Sequence, residues 1–321
     1  MSPINKNTRI GPYRVIEPLK SGKGGMAHVF RAQVEGGNEE VAIKISRQDY
    51  EDPRFNNALK QEVDILKNLH HPAIVHLKQI PMQQVKQEVY MARAVELPGK
   101  PWYYAMEYLA GDSLWILIKK LGNLPFPLSC AIADRVASAL EYLHQNQVFH
   151  LDIKPENILF RALVQENNPI DPVVIDFGVA ARIKTVRPTG GSLHTMAPEQ
   201  LKQARGISPP EVPLDMGKMD IYSLGVVTYR MWTGRYPFEG ISANGITNAV
   251  LNQTVQPPST FNPHIPHQAD GFMLRWLDKD PAKRPTFEEI HRYLQYWAEG
   301  ITGFPKLSRQ FRQKSWWKFW S

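Results

Sequence analysis

The sequence predicts an α+β fold with two lobes, a small N-terminal lobe rich in antiparallel β-strands and a larger, mainly helical C-terminal lobe. Two observations lead to this prediction. Residues 10–46 contain short strand-like segments separated by glycine-bearing turns, whereas apolar residues recur at helical spacing after Gly111. The chain has 321 residues, of which 43% are hydrophobic and 21% are charged. It is therefore long and apolar enough to bury the core of one large domain or two modest ones.

The N-terminal lobe is predicted from a change in hydrophobic period. Three strands are expected at 13–19, 27–32 and 41–45. Residues 55–69 then place apolar side chains at helical spacing, and a further strand pair is expected at 74–80 and 102–107. The stretch 82–100 between them is interpreted as an extended hairpin or insertion. The first lobe is therefore expected to span residues 1–107.

Two charged residues in this lobe are expected to pair. In the strand VAIKI at 41–45, the branched residues share one face, while Ala42 and Lys44 share the other. Glu62 falls on the apolar stripe of the following helix. A lysine at an exposed strand edge is the common alternative for Lys44. A cation facing a cleft and an acid on an apolar helix face nevertheless both need a partner, which favours an ion pair between them.

The second lobe is predicted to be mainly helical and to span residues 108–302. Helices are expected at 113–120, 128–146 and 220–233. The last of these, DIYSLGVVTYRMWT, is apolar on nearly all sides, so we expect it to be the buried axis of the lobe. A ligand is expected to bind in a cleft between the lobes.

Composition excludes several classes of protein. No segment reaches the roughly 18 apolar residues that span a bilayer, and the start lacks the apolar core of a signal peptide, so the protein is predicted to be cytoplasmic. A single cysteine, Cys130, excludes an intrachain disulfide and is expected to be buried. The net charge of +7 comes mainly from residues 306–321, which hold five Lys or Arg and no acid. Nucleic-acid binding by the folded part is therefore not predicted.

A glycine-bearing loop lies between the first two predicted strands. Gly22 and Gly24 are followed by Ala27 and Val29, and such a loop lets backbone N–H groups approach a phosphate closely. Glycine pairs in hairpin turns are common, so an ordinary turn is the better interpretation of this loop taken alone.

The segment HLDIKPENIL at 150–159 is the strongest candidate for chemistry. It places Asp152, Lys154 and Asn157 in one loop, and Asp176 follows in a DFG sequence behind an apolar strand-like segment. Carboxylate and amide oxygens suit Mg²⁺, a lysine suits a phosphoryl group, and a separate carboxylate can accept a proton from a hydroxyl. Together these residues point to phosphoryl transfer.

With these motifs in order, the sequence resembles the eukaryotic-type (Hanks-type) protein kinase family over about residues 10–297. The matching motifs are the glycine-rich loop, VAIK, HLDIKPEN, DFG, APE at 197–199, the DIYSLG helix and LDKDPAKRPTF at 277–287. The sequences of the GGM turn and of the DIYSLGVV segment are most similar to those of the bacterial serine/threonine branch. The resemblance implies the bilobal protein-kinase-like fold, ATP and Mg²⁺ as cofactors, and proteins as substrates.

The resemblance also implies roles for individual residues. It implies that Lys44 contacts the α/β-phosphates and pairs with Glu62. Asp152 is implied as the catalytic base that orients the substrate hydroxyl, and Lys154 as the residue that contacts the γ-phosphoryl group. Asn157 and Asp176 are implied to bind magnesium. Nucleotide contacts are implied for Gly22, Gly24, Val29 and Ala42, with Met106 at the gatekeeper position and backbone groups of Glu107 and Leu109 facing adenine. Fold-holding roles are implied for an Arg284–Glu199 ion pair and for Asp220, which is expected to cap the central helix and hold the catalytic loop.

Two positions refine the predicted activity. In the family, a lysine two residues after the catalytic aspartate, here Lys154, is typical of serine/threonine specificity. Leu151 replaces the arginine of the usual His-Arg-Asp triplet, which normally binds a phosphate on the activation loop. Activity without activation-loop phosphorylation is therefore predicted, although Thr185 and Thr189 remain available for modification.

Two other functions are weighed against an active protein kinase. A pseudokinase would keep the fold as a binding or scaffold module, but the joint presence of the catalytic and metal-site residues speaks against it. A small-molecule kinase on the related fold is disfavoured by APE, the DIYSLG helix and Arg284, which build the peptide-docking lobe.

Residues 303–321 form a separate basic, aromatic tail. Four aromatic residues lie within 316–320, interleaved with lysines. Aromatic rings favour the headgroup region and cations favour anionic lipid, so peripheral contact with the inner face of the membrane is one hypothesis. The aromatic and cationic residues do not separate on a helical wheel, and docking onto a partner or onto the chain's own lobe is the other hypothesis. The sequence predicts no oligomeric state.

Overall fold

One antiparallel sheet organises the first compact unit, Met1–Leu109, in a computed structural model of the chain. The structure describes residues 4–19, 27–46, 53–81, 87–164, 170–182, 191–207 and 215–298. The strands are β1 (Arg9–Ile10), β2 (Tyr13–Pro18), β3 (Ala27–Val34), β4 (Glu40–Ser46), β5 (Leu77–Lys78), β6 (Met91–Arg93) and β7 (Trp102–Glu107). Their order is β1-β2-β3-β4-β7-β5, and β6 also pairs with β7.

The predicted strands at 13–19, 27–32 and 41–45 are confirmed as β2, β3 and β4, and the one at 102–107 as β7. The strand predicted at 74–80 is shorter, because residues 71–74 form a turn closed by the Ile74 N–H and the His71 carbonyl at 3.0 Å. Of the predicted hairpin at 82–100, the described part contains β6, which runs antiparallel to β7.

Strand β4 divides its side chains as the sequence predicts. Val41, Ile43 and Ile45 pack into the apolar core on one face of the sheet. On the opposite face the helix α1 (Pro53–Leu66) packs Leu59 and Val63 around Tyr104 of β7. Lys44 is on this second face, toward the helix that carries Glu62.

The second unit, Ala110–Ser321, contains most of the helices. They are α2 (Leu114–Leu121), α3 (Phe126–Gln145), α4 (Pro198–Ala204), α5 (Met216–Thr233), α6 (Ala243–Asn252), α7 (His267–Trp276) and α8 (Phe287–Ala298). Two short antiparallel pairs accompany them, β9 (Ile158–Phe160) with β10 (Pro172–Val174) and β8 (Val148–Phe149) with β11 (Ala181–Arg182). The predicted fold class, a β-rich first part followed by a mainly helical one, is confirmed.

Helix α5 is the buried axis that the sequence predicts, and most of its residues are buried. It begins at Met216, four residues before the predicted start. Asp215 caps it by accepting a hydrogen bond from the N–H of Lys218, and Gly234 ends it with φ of 79°. The prediction that Asp220 caps this helix is therefore wrong, because Asp220 lies inside the helix and its carboxylate is occupied elsewhere.

Cys130 is buried within α3, as predicted, and burial raises the pKa of its thiol. Among the described residues, no helix is long and apolar enough to cross a bilayer. The basic tail and the glycine-bearing loop with Gly22 and Gly24 lie outside the described residues, as do Thr185 and Thr189.

Candidate active site

The loop that carries Asp152 is fixed at both ends by short β-pairs. Strand β8 precedes it and pairs with β11, while a single 3-10 turn, Pro155–Asn157, leads from it into β9. Strand β10 runs beside β9, and the N–H of Ile175 then donates to the carbonyl of Asn157 at 2.9 Å. Asp176 is therefore brought next to the loop residue with which it was predicted to share a metal.

A buried carboxylate inside α5 sets the backbone of this loop. Asp220 has no exposed surface. Its Oδ2 accepts from the N–H of His150 at 2.9 Å, and its Oδ1 accepts from the N–H of Leu151 at 2.7 Å. The ring of His144 lies 2.9 Å from Oδ2. The predicted role of Asp220 in holding the catalytic loop is confirmed, and Leu151 is held in the left-handed region with φ of 62°.

The Asp152 carboxylate accepts hydrogen bonds from three directions. Lys154 Nζ donates to Oδ2 at 2.6 Å, and Asn157 Nδ2 donates to the same oxygen at 3.2 Å. The backbone N–H of Ser192 donates to Oδ1 at 3.0 Å. Asp152 is only 8% exposed. Charge-assisted hydrogen bonds of this kind hold the carboxylate in one orientation.

The donor set of Asn157 and Asp176 fits a magnesium ion. The amide nitrogen of Asn157 is turned to Asp152, donating also to its carbonyl at 3.0 Å. No described residue donates to the Oδ1 of Asn157, so this oxygen is the atom left for a cation. Asp176 is exposed and carries a second oxygen donor beside it. Mg²⁺ is bound through one or two such side chains together with substrate phosphates and water.

The DFG segment is anchored by the residue that opens the catalytic loop. The His150 ring lies 3.1 Å through Nε2 from the carbonyl of Ile175. It also packs edge-on against Phe177, with 5.0 Å between the ring centroids. Asp176 between these two contacts takes a left-handed backbone conformation with φ of 65°. The position of Asp176 is thus set by packing on both sides.

In the first unit, Lys44 and Glu62 form the predicted ion pair. Lys44 Nζ donates to both carboxylate oxygens, at 2.9 and 2.8 Å. Glu62 is 2% exposed. A carboxylate this deeply buried is retained only with a partner, so the pair fixes the lysine amine in one place. In the sheet, Val29 of β3 lies opposite Lys44.

The end of β7 carries the residues predicted to face adenine. Ala42 of β4 lies directly opposite Met106. The Glu107 carboxylate accepts a hydrogen bond from the backbone N–H of His76 at 2.8 Å, which anchors the end of the strand. Leu109 is 8% exposed, and no described residue accepts a hydrogen bond from its N–H. A free backbone donor at a nearly buried position fits a ring nitrogen acceptor such as adenine offers.

The fold-holding ion pair predicted for Arg284 is present. The guanidinium donates to both oxygens of Glu199, at 2.7 and 2.8 Å, and Arg284 is 2% exposed. Sequence reasoning missed two further contributors, His144 and Gln200. Gln200 Nε2 donates to the carbonyl of Leu151 at 3.1 Å. Gln200 is 49 residues from Leu151 in sequence, and His144 reaches the loop through Asp220 of α5, so no local pattern marks either contact.

Comparison with known proteins agrees with the geometry. A family model described as "Protein kinase domain" matches residues 14–294. The serine/threonine-protein kinase PrkC of Bacillus subtilis is 33% identical over 280 residues, which cover 85% of this chain and 38% of PrkC. A probable serine/threonine-protein kinase of Clostridium perfringens is 31% identical over 276 residues, 84% of this chain and 36% of that protein.

A mycobacterial relative, the serine/threonine-protein kinase PknE of Mycobacterium bovis, is 28% identical over 285 residues, 87% of this chain and 44% of PknE. The chain thus spans less than half the length of these curated relatives. The predicted resemblance to the bacterial serine/threonine branch is confirmed.

Proposed function

The chain belongs to the protein kinase family, and on this premise we propose that it transfers the γ-phosphoryl group of ATP to serine or threonine hydroxyls of proteins. The observation that carries the proposal is the Asp152 carboxylate, which is oriented by Lys154, Asn157 and the Ser192 N–H. A hydroxyl is a weak nucleophile, and an ionised, fixed carboxylate can take its proton as the new P–O bond forms.

The residues around Asp152 and the Lys44–Glu62 pair are proposed to bind the phosphate groups and magnesium. Lys154 lies against Oδ2 of Asp152 at 2.6 Å, so its ammonium is beside the site where negative charge moves during transfer. Asn157 and Asp176 would hold magnesium, which when bound neutralises charge on the phosphate oxygens. Lys44, fixed by Glu62, would bind the α/β-phosphates of the nucleotide. These assignments follow from the family match residue by residue.

Adenine recognition is assigned to the end of β7. Met106 would border the base as gatekeeper, while the backbone of Glu107 and the free N–H of Leu109 would meet its polar edge. Val29 and Ala42 would contact the nucleotide from β3 and β4. Gly22 and Gly24 would cover the phosphates, because a backbone without side chains can approach them closely.

The chain is also proposed to be active without phosphorylation of its activation loop. Leu151 is uncharged and 2% exposed, so it offers nothing to a phosphate. Its backbone is nevertheless held at both ends, through the N–H by Asp220 and through the carbonyl by Gln200. The catalytic loop therefore keeps its shape without an arginine–phosphate contact.

The test is phosphate transfer from labelled ATP with magnesium, comparing the wild-type chain with Asp152→Asn. We expect transfer onto serine and threonine of the chain itself and of a generic protein substrate. In the variant it should fall by about 10²- to 10⁴-fold, since an amide cannot accept the proton.

Nucleotide affinity serves as the control, because Asp152→Asn should leave Mg-ATP binding nearly unchanged. Tight Mg-ATP binding by the wild type without any transfer would overturn the proposal in favour of a nucleotide-binding scaffold. Equal transfer by both forms would exclude Asp152 as the base.

A further inference from the structure

An arginine without an acidic partner lies near the catalytic loop. Arg230 is in the last turn of α5 and is half-buried. It forms no ion pair with any described carboxylate, and its Nε is buried without a hydrogen-bond partner. Its guanidinium lies over the ring of Tyr236, 4.1 Å from the centroid. Buried arginine donors are ordinarily paired, so this group is poised for an anion.

A histidine completes the cluster. The ring of His194 stacks on the other aromatic member, Tyr236, with 4.3 Å between centroids and 10° between planes. Its Nδ1 is buried and has no hydrogen-bond partner. Burial lowers the pKa of His194, and the Arg230 charge lowers it further, so the ring is neutral at neutral pH. Arg230 is thus the cation of this cluster, and His194 borders it as an uncharged ring.

The cluster lies beside the path of a substrate to the catalytic base. His194 is two residues after Ser192, whose N–H donates to Asp152. The turn between them is tied down at its far side, where Ser223 donates to the carbonyl of Thr195 at 2.7 Å. A peptide whose hydroxyl reaches Asp152 therefore comes close to this turn and to His194 within it.

We propose that Arg230, which packs on Tyr236 beside His194, binds an anionic side chain of the protein substrate, so that this kinase prefers acidic or phosphorylated residues near the phosphorylated serine or threonine. The inference rests on the proposed kinase activity and adds the substrate class. A carboxylate and a phosphate monoester both accept paired hydrogen bonds from a guanidinium, and the test separates them.

Two carboxylates near the cluster do not remove this preference. Glu156 and Glu239 both act on the charge state of His194, yet neither forms an ion pair with Arg230. Glu156 lies in the 3-10 turn of the catalytic loop, and Glu239 is exposed. Because Arg230 keeps its buried Nε unpaired in their presence, the guanidinium still lacks the ligand that its burial calls for.

The experiment measures kcat/KM of the full chain on serine peptides in which one flanking position at a time holds Asp, phosphoserine, Ala or Lys. At one or more positions, wild type should favour an anionic residue over Ala by about tenfold, as expected for one charge-assisted contact. Arg230→Glu should reverse the preference at those positions and favour Lys. Comparison of the Asp and phosphoserine peptides shows whether a carboxylate or a phosphate is the natural ligand.

Arg235→Glu is the matched control, because it makes the same charge change at an exposed arginine. The guanidinium of Arg235 lies over the ring of Phe261, 4.6 Å from the ring centroid. It should leave the preference unchanged. Arg230→Lys keeps the charge and should keep part of the preference, which guards against a folding defect in Arg230→Glu.

A flat wild-type profile, or the same profile in wild type and Arg230→Glu, would overturn the inference while leaving the kinase activity intact. Absence of transfer to every peptide and to the chain itself would instead overturn the proposed function, and the inference with it.

Discussion

Asp220 acts at a distance from the chemistry through two backbone hydrogen bonds. It binds the N–H groups of His150 and Leu151, directly before Asp152. Its lack of exposed surface makes these bonds strong, because no water competes for the carboxylate. The left-handed backbone of Leu151 is a costly conformation for a residue with a side chain, and the paired carboxylate oxygens maintain it. The orientation of the catalytic base thus depends on a residue inside a helix.

We predict that Asp220→Asn lowers kcat by about tenfold or more, since one amide oxygen replaces two acceptors and a hydrogen bond to a charged group contributes about 1.5–3 kcal/mol. KM for ATP should change little, because the residue is remote from the predicted nucleotide contacts. Steady-state kinetics of the two forms makes the measurement.

Asp215→Asn is the matched control for this variant. It makes the same substitution at the exposed cap of the same helix, where Asn and Asp cap about equally well. A kcat of Asp220→Asn equal to that of Asp215→Asn would show that the loop keeps its geometry without this carboxylate.

At the scale of residues, pairings between neighbouring elements could be predicted and distant ones could not. The ion pair between Lys44 and Glu62 could be predicted from hydrophobic periodicity alone, because a charged residue on an apolar face requires a partner. The contact of Asp220 with His144 joins two helices that are far apart in sequence, and no local pattern reports it. The lack of an ion pair between Arg230 and any described carboxylate is likewise a property of the packed structure, because nothing in the surrounding sequence distinguishes Arg230 from Arg235.

At the scale of elements, helices α3 and α8 are joined by a histidine between two acids. His291 of α8 lies 2.6 Å through Nδ1 from Asp134 of α3 and 3.4 Å through Nε2 from Glu141 of the same helix. Gln295, one turn later on α8, also approaches Asp134. The hydrogen bond with Asp134 raises the pKa of His291 above its ordinary value of 6.5, and Glu141 adds to the effect. The protonated histidine therefore stabilises the contact between the two helices.

A pH dependence of stability follows from this raised pKa. A group whose pKa is higher in the folded state contributes stability that is fully present below 6.5 and is lost as the pH rises through the folded-state value. We predict that the melting temperature of wild type falls as the pH rises through this window, and that it falls less in His291→Gln. Thermal unfolding at a series of pH values measures both slopes.

The exposed His264 provides the control substitution, since His264→Gln removes a histidine that forms no ion pair with described residues. Its slope should match that of wild type. Parallel slopes for wild type and His291→Gln would mean that the bond between α3 and α8 does not change with the protonation of His291.

Element boundaries were less predictable than element types. The strands β2, β3, β4 and β7 follow from short apolar runs between turns. The start of α5 was misplaced because the sequence before Asp220 contains glycine and methionine rather than a clear apolar stripe, and Asp215 was not identified as the cap. The shortening of β5 depends on the turn at residues 71–74, which the hydrogen bond from the Ile74 N–H to the His71 carbonyl closes.

At the scale of the whole molecule, the order of motifs was the most informative feature of the sequence. It specified the family, and with it the β-rich unit followed by the helical one. The two hypotheses for the tail, membrane contact and partner docking, stay predictions because residues 303–321 lie beyond the described part of the chain. Composition alone cannot separate them, since lipid headgroups and acidic protein surfaces attract the same aromatic and cationic residues.

A requirement for activation-loop phosphorylation would be a property of the whole molecule. The described contacts hold the catalytic loop through Asp220 and Gln200, and the segment from Ser192 to Thr195 through Asp152 and Ser223. We predict that replacing Thr185 and Thr189 together by alanine changes the initial rate of transfer by no more than about twofold, because these described contacts already hold the catalytic loop.

The measurement compares initial rates of phosphatase-treated wild type and of the double variant on the same peptide, with Asp152→Asn as the background. Phosphatase treatment matters, because autophosphorylation during expression would otherwise hide a requirement for phosphate. If the double variant were inactive and aspartate at the same two positions restored transfer, the phosphate would have to be bound by a cationic side chain elsewhere, because Leu151 replaces the usual arginine. Arg230 would then be the first candidate, because it forms no ion pair with a described carboxylate and its charge acts on His194. Similar rates in both proteins would show that transfer does not require phosphate on Thr185 or Thr189.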